Sequence, residues 1–147
     1  MQSHAFETLK QLDQLILTDI NDILQREACN ECNIHLYHVG NSWFAFEKSA
    51  YLLQLLSDQV DAPICIEISG RPYPIIFNSI SASHLKSIKS TAPPQGSSAK
   101  YLKLTTEPLS HPLFNTWYSL IINGEIYKRY DAKIGKDGKR KTPPEGA

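Results

Sequence analysis

From Ser3 to Arg26 the apolar residues Phe6, Leu9, Leu12, Leu15, Ile16, Ile20, Ile23 and Leu24 recur at steps of three and four, and Glu7, Lys10, Asp13 and Asp22 fall on the other side. That stripe predicts a long amphipathic helix over residues 3–28. Ile34-His35-Leu36-Tyr37-His38-Val39 alternates instead and runs into Gly40-Asn41-Ser42, so residues 34–39 predict a strand and turn beneath the helix. After the aromatic segment Trp43, Phe44, Ala45 and Phe46, the helical period returns through Tyr51, Leu52, Leu55, Leu56 and Val60, with Pro63 as the stop. Ile64, Ile66 and Ile68 alternate with polar neighbours, Gly70-Arg71 turns the chain, and residues 73–78 return. The pair reads as a hairpin, which Pro72 and Pro74 assign to a sheet edge.

Ser81 is the expected N-cap of a helix that carries Leu85 and Ile88 and ends near Ser90. Residues 90–98 hold turn formers without a period and read as a mobile loop, whereas residues 101–105 alternate as a strand. Residues 108–112 read as a turn, and residues 113–122 are too apolar for periodicity to separate a helix from a buried strand. Asn123-Gly124 predicts a turn into a short strand over residues 125–130. The whole reads as α+β: one domain over residues 1–130, a small mixed β-sheet packed by about three helices, then a flexible tail over residues 131–147.

Composition narrows the class. With 41% hydrophobic and 20% charged residues in 147, the chain has enough for a core and is not the composition of a disordered protein. No apolar run approaches the ~20 residues that span a bilayer. The first 13 residues lack the basic start and apolar stretch of a signal peptide. A cytoplasmic protein that does not use the membrane is expected, and Cys29, Cys32 and Cys65, odd in number and unevenly spaced, read as reduced thiols.

The zero net charge is unevenly spread. Residues 1–127 hold eight Lys and Arg against twelve Asp and Glu, while residues 128–147 hold seven against three. Phosphate neutralisation supplies most non-specific nucleic-acid affinity, so such contact falls to the tail, on Lys133, Lys136, Lys139, Arg140 and Lys141. Flexible lysines do not read base edges, so the contact carries no sequence preference. The competing reading of the same run is a solubilising tail.

The segment Leu36-Tyr37-His38-Val39-Gly40-Asn41-Ser42-Trp43-Phe44-Ala45-Phe46-Glu47-Lys48-Ser49-Ala50 resembles the start of the amino-terminal domain, domain I, of the MutS DNA mismatch-repair family. That family runs strand, glycine, acidic residue, an aromatic pair with a glutamate, a further aromatic and a helix-opening alanine. Gly40, Asn41, Trp43, Phe46 and Ala50 fall without a gap on its glycine, acidic, second-aromatic, third-aromatic and alanine positions. Pro74-Ile75-Ile76-Phe77-Asn78-Ser79-Ile80 is similar to the family's second strand, and the likeness covers about residues 34–105. The resemblance implies the domain I fold. It also puts Ser42 where the family's mismatch-stacking phenylalanine stands and Phe44 where its base-bonding glutamate stands. Serine has no apolar plate to offset the few kcal/mol of unstacking, and phenylalanine has no acceptor, so the frame is kept without the reader. No Gly-rich loop followed by Lys-Ser/Thr is present, and no ATPase and no cofactor are expected.

Cys29, Cys32, His35 and His38 have a spacing that suggests zinc. On a strand, however, His35 and His38 point to opposite faces, which favours a helix-end turn with two buried thiols and two strand histidines. His84 beside Ser81 and Ser83, and His111 beside Ser110, read as surface histidines, because sequence adjacency does not place side chains at hydrogen-bond reach. Trp43, Phe44, Phe46, Tyr51, Phe114, Trp117 and Tyr118 read mostly as core, and no carboxylates form a close pair. The first helix carries more apolar circumference than one packed face needs, with Leu17 beside Leu15-Ile16, which suggests a homodimer.

The expectation is a non-enzymatic binding module that acts with another protein, or with nucleic acid through its tail. The competing classes are an enzyme with a cleft invisible to sequence and an adaptor subunit that dimerises through the first helix. A deep pocket with strongly perturbed ionisable groups is the feature that separates an enzyme from a module.

Overall fold

The computed structural model describes residues 3–89, 94–124 and 128–130. Its elements run α1 (Ser3–Ala28), β1 (Asn33–Val39), β2 (Ser42–Phe46), α2 (Lys48–Leu56), β3 (Ile64–Ile66) and β4 (Ile75–Ser81). They continue with α3 (Ala82–Lys89), β5 (Pro94–Ser97), β6 (Tyr101–Thr105), α4 (His111–Asn123) and β7 (Lys128–Tyr130). The strands form one sheet in the order β5-β6-β1-β2-β4-β3-β7. It is mixed, because β3 pairs with β7 in parallel while the other pairings are antiparallel. The chain is therefore α+β, as its patterning predicts.

Alternation along the strands divides the interior into two layers. Tyr37, Val39, Phe44, Phe46, Ile75 and Phe77 meet Leu12, Ile16, Ile20 and Ile23 of α1. On the opposite face Ile34, Leu36, Ala45, Ile80, Leu102 and Leu104 pack against α2, α3 and α4, with Leu53, Leu85 and Phe114 among their partners. A sheet covered on both sides explains why β1, β2 and β4 are buried along most of their length, His35, Asn78 and Ser79 included. Each fully buried Ile or Phe contributes about 1.5–3 kcal/mol relative to exposure.

Five local expectations need correction. Residue Ser57, at φ −156° and ψ 140°, ends α2 at Leu56, well ahead of Pro63, although Val60 still packs against the core. The hairpin of β3 and β4 is present, but β4 lies between β2 and β3 in the sheet's interior. Pro72 and Pro74 precede its first residue and so remove no ladder hydrogen bond. Pro94–Ser97 is a strand on β6, irregular at Pro94 and Gly96, where a loop is expected; residues 90–93 lie outside the described residues. Helix α4 resolves the ambiguity of residues 113–122 and begins inside the expected turn. Ser110 accepts from the Leu113 N–H at 3.3 Å as its N-cap, and Pro112 sits in its first turn. Four helices, against about three expected, are thus present among the described residues. Residues 125–127 of the last expected strand and the tail at 131–147 lie outside them.

Candidate functional site

One residue joins β2 to α2. Glu47 turns the chain from strand to helix at φ 53°, ψ −121°, which is positive-φ backbone that side chains other than glycine rarely take. Neighbouring bonds hold it there. The Glu47 N–H donates to the Ile76 carbonyl at 2.8 Å, the Ile76 N–H donates back to Glu47 Oε2 at 2.9 Å, and the Tyr51 N–H donates to the Glu47 carbonyl at 3.0 Å.

Because Glu47 faces β4, it provides no side-chain cap for α2. The cap comes from the last turn of α1. Glu27, 3% exposed, accepts from the Ser49 N–H at 2.9 Å, the Ser49 hydroxyl at 2.5 Å and Asn30 Nδ2 at 3.1 Å. Asn30 Oδ1 accepts from the Asn33 N–H at 2.9 Å, and Ser49 Oγ accepts from the His35 N–H at 2.9 Å, tying α1, β1 and α2 together. Burial pushes the Glu27 carboxyl up to about 7 despite these donors. Burial likewise pushes Glu47 up to about 7, with the Ile76 N–H opposing and the charge of Glu27 adding to the rise. The charge of Glu27 reaches Glu47 across a separation in sequence that hides it.

Glu47 also lines a cleft of about 450 Å³. Pro72, Tyr73 and Pro74 bound one side, Phe114 and Tyr118 of α4 the other, and Asn115 stands at the exposed surface of α4. The Tyr118 hydroxyl donates to the Pro74 carbonyl at 2.6 Å, which locks the two walls together, and burial raises its pKa. Arg71, also on the lining, hydrogen-bonds Asn21 of α1. Glu47 Oε1 has no hydrogen-bond donor among the described residues. The arrangement can therefore accept a donor from a ligand, or hold a proton near neutral pH, within largely apolar walls.

The residues singled out in the sequence are placed as follows. Ser42 is half-buried at the head of the β1–β2 hairpin, opposite Val39 and Ser81. Phe44 is buried under α1, its ring 5.8 Å from that of Phe77. Cys29 is exposed and Cys32 half-buried, so the expected pair of buried thiols is corrected: the turn that follows α1 leaves the first thiol facing outward. His35 Nδ1 lies 2.7 Å from the Tyr101 hydroxyl, and His38 packs on Trp43 at 4.7 Å between ring centres. Burial, then the charges of Arg26 and Lys103, lowers His35 to about 4. The candidate zinc ligands do not converge, and among the described residues no three His, Cys, Asp or Glu side chains are grouped to hold a metal.

Ser81 and His84 do come within reach, at 3.0 Å between Oγ and Nδ1, against expectation. The reason is the cap, since Ser81 Oγ also accepts from the His84 N–H at 3.2 Å in the first turn of α3. Residue His111 pairs with Glu31 at 3.1 Å, away from Ser110. Lys133, Lys136, Lys139, Arg140 and Lys141 lie outside the described residues. On α1, Leu17 is 59% exposed while Ile16 is fully buried.

Sequence reasoning passed over Glu27 and Glu47, and also over Arg26. Its guanidinium donates to the Tyr37 hydroxyl at 2.7 Å and lies 5.3 Å from the Tyr101 ring centre, fastening the end of α1 to β1 and β6. The available signal was slight: a lone glutamate between an aromatic run and a helix. No helix among the described residues is long and apolar enough to cross a membrane. Comparison with protein-family models, curated proteins and solved structures finds no match to this chain.

Proposed function

We propose that this chain is a non-enzymatic binding module on a frame similar to MutS domain I, and that it takes its ligand in the Glu47 cleft. The observation that carries this reading is Glu47 Oε1, an acceptor without a donor among the described residues, on a recess walled by proline and aromatic residues. Several other polar groups are committed to the fold. Glu27 caps α2, Ser81 caps α3, Ser110 caps α4, and the Tyr118 hydroxyl is bonded to Pro74. A single carboxyl among apolar walls orients a ligand, whereas acid–base or covalent turnover draws on a second positioned group. The frame reading is supported by Gly40 at φ 64° in the hairpin turn, by Phe46 and Ala50 in the core, and by the burial of Phe44, which withdraws that position from any base. A fragment screen read by amide ¹⁵N shifts tests the proposal. Shifts should gather at Glu47, Tyr73, Ile75, Asn115 and Tyr118 and disappear in Asn115→Trp, which fills the mouth from an exposed position. Shifts gathered elsewhere would sink it.

The charge asymmetry favours a second activity alongside, nucleic-acid contact without sequence preference through residues 131–147. Deleting that segment should remove most duplex-DNA affinity and flatten its salt dependence. An undiminished affinity in the truncated chain would refute the tail's role.

A further inference from the structure

We propose that the Glu47 cleft binds an alkylammonium group, with the carboxylate as counter-ion and Tyr73, Phe114 and Tyr118 as the aromatic lining. The inference rests on the cleft being the ligand site and adds the chemistry of what enters it. The feature to be matched is an acceptor, since Glu47 lines the cleft, its Oε2 is held by the Ile76 N–H, and its Oε1 has no donor among the described residues. An ionised carboxylate in apolar surroundings is costly unless a cation meets it, and no ion pair to Glu47 occurs among the described residues.

The neighbouring charges leave that role open. From α1, Glu27 adds negative charge; from α2, Lys48 gives only a small opposing effect; Arg71, on the turn before β4, is bonded to Asn21 and is not among the charges that shift Glu47. From α4 and the same turn, Tyr118 and Tyr73 contribute aromatic rings. Glu47 on the lining and the added negative charge of Glu27 disfavour an anionic ligand. Aromatic residues favour a cation by the attraction of their ring faces, and prolines accommodate an apolar stem. A volume of about 450 Å³ accommodates a four-carbon chain with its ammonium.

A rival chemistry uses the same carboxyl in its protonated form to donate to a ligand carbonyl, and the slope against pH separates the two. An ammonium binds the ionised form. With Glu47 titrating at about 7, its apparent affinity should rise about tenfold from pH 6 to pH 8 as the competent fraction grows.

The experiment is an NMR titration of the full chain with n-butylammonium, n-butanol and n-butyrate at both pH values. Butylammonium is expected to shift the cleft amides most strongly, with the rise in affinity at pH 8. Glu47→Gln should weaken it at least tenfold and abolish the pH slope, and Asn115→Trp, at a surface position that leaves the core intact, should block it. Nα-acetyl-lysine methylamide forms a further arm: tighter binding than butylammonium identifies a lysine side chain as the source, weaker binding a free amine. Preference for butanol or butyrate in the cleft, an affinity that falls toward pH 8, or ammonium binding unchanged in Glu47→Gln overturns the inference and leaves the cleft standing as a ligand site. If no probe shifts the cleft amides, both readings fail.

Discussion

At the last turn of α1 the Glu27 carboxylate takes two donors from Ser49 and one from Asn30, so it caps a helix to which it does not belong. Removing it strands those donors in the interior, and an unmet buried donor costs about 1–3 kcal/mol. Glu27→Ala should therefore lower the unfolding free energy by at least ~3 kcal/mol, while Glu27→Gln, which keeps one acceptor oxygen for the Ser49 and Asn30 N–H groups, should lose roughly 1 kcal/mol. Urea unfolding of the two variants measures the difference; equal losses would mean that Glu27 contributes side-chain volume and not acceptors. Glu47 differs in kind. Its Oε2 and its backbone fasten β2 to β4, and only its second oxygen is left over for a ligand.

Elements whose apolar residues face one side were legible in the sequence, because amphipathic spacing survives whatever the helix or strand packs against. Helix α1 and strand β6 belong here: Leu12, Ile16, Ile20 and Ile23 of the stripe make the α1 layer, and Leu102 and Leu104 alternate inward. Elements set by partners distant in sequence were not legible. Pro94–Ser97 becomes a strand through backbone pairing with β6, which its Pro-Gln-Gly-Ser composition does not announce. Helix α4 has too apolar a sequence for a period, yet Ser110 followed by Pro112 was a readable start, as the cap and first-turn proline bear out. The site is the least legible part, since Glu47 acquires its surroundings from Ile76 and from α4, and neither is near it in the chain. Its backbone at φ 53° leaves no trace in composition.

On the scale of the molecule, α1 covers one face of the sheet and three helices cover the other, and the ionisable groups trapped between these layers set how stability responds to pH. Glu27 and Glu47 titrate at about 7 when folded, above the ordinary carboxyl value of 4.5. Below 4.5 both states hold these protons; as pH rises the unfolded chain ionises first, so stability declines until the folded value near 7 is passed. His35 acts in the opposite sense. Its folded value near 4 lies below 6.5, so the unfolded chain takes up a proton first, and stability is lost as pH falls from 6.5 toward 4. As pH falls from 8 the chain should gain stability, slowly above 7 and more steeply as the folded carboxyls take up their protons, with His35 offsetting about half of that slope below 6.5. Each carboxyl accounts for on the order of 3 kcal/mol over its full range. Glu47→Gln should flatten the alkaline part of the curve, and His35→Gln should let the gain continue further into acid. Urea midpoints at pH 8.5, 6.5 and 5 decide the matter: a midpoint no higher at pH 6.5 than at pH 8.5 would show that the two carboxyls stay ionised within the fold, and that the layers around α2 are far wetter than their packing implies.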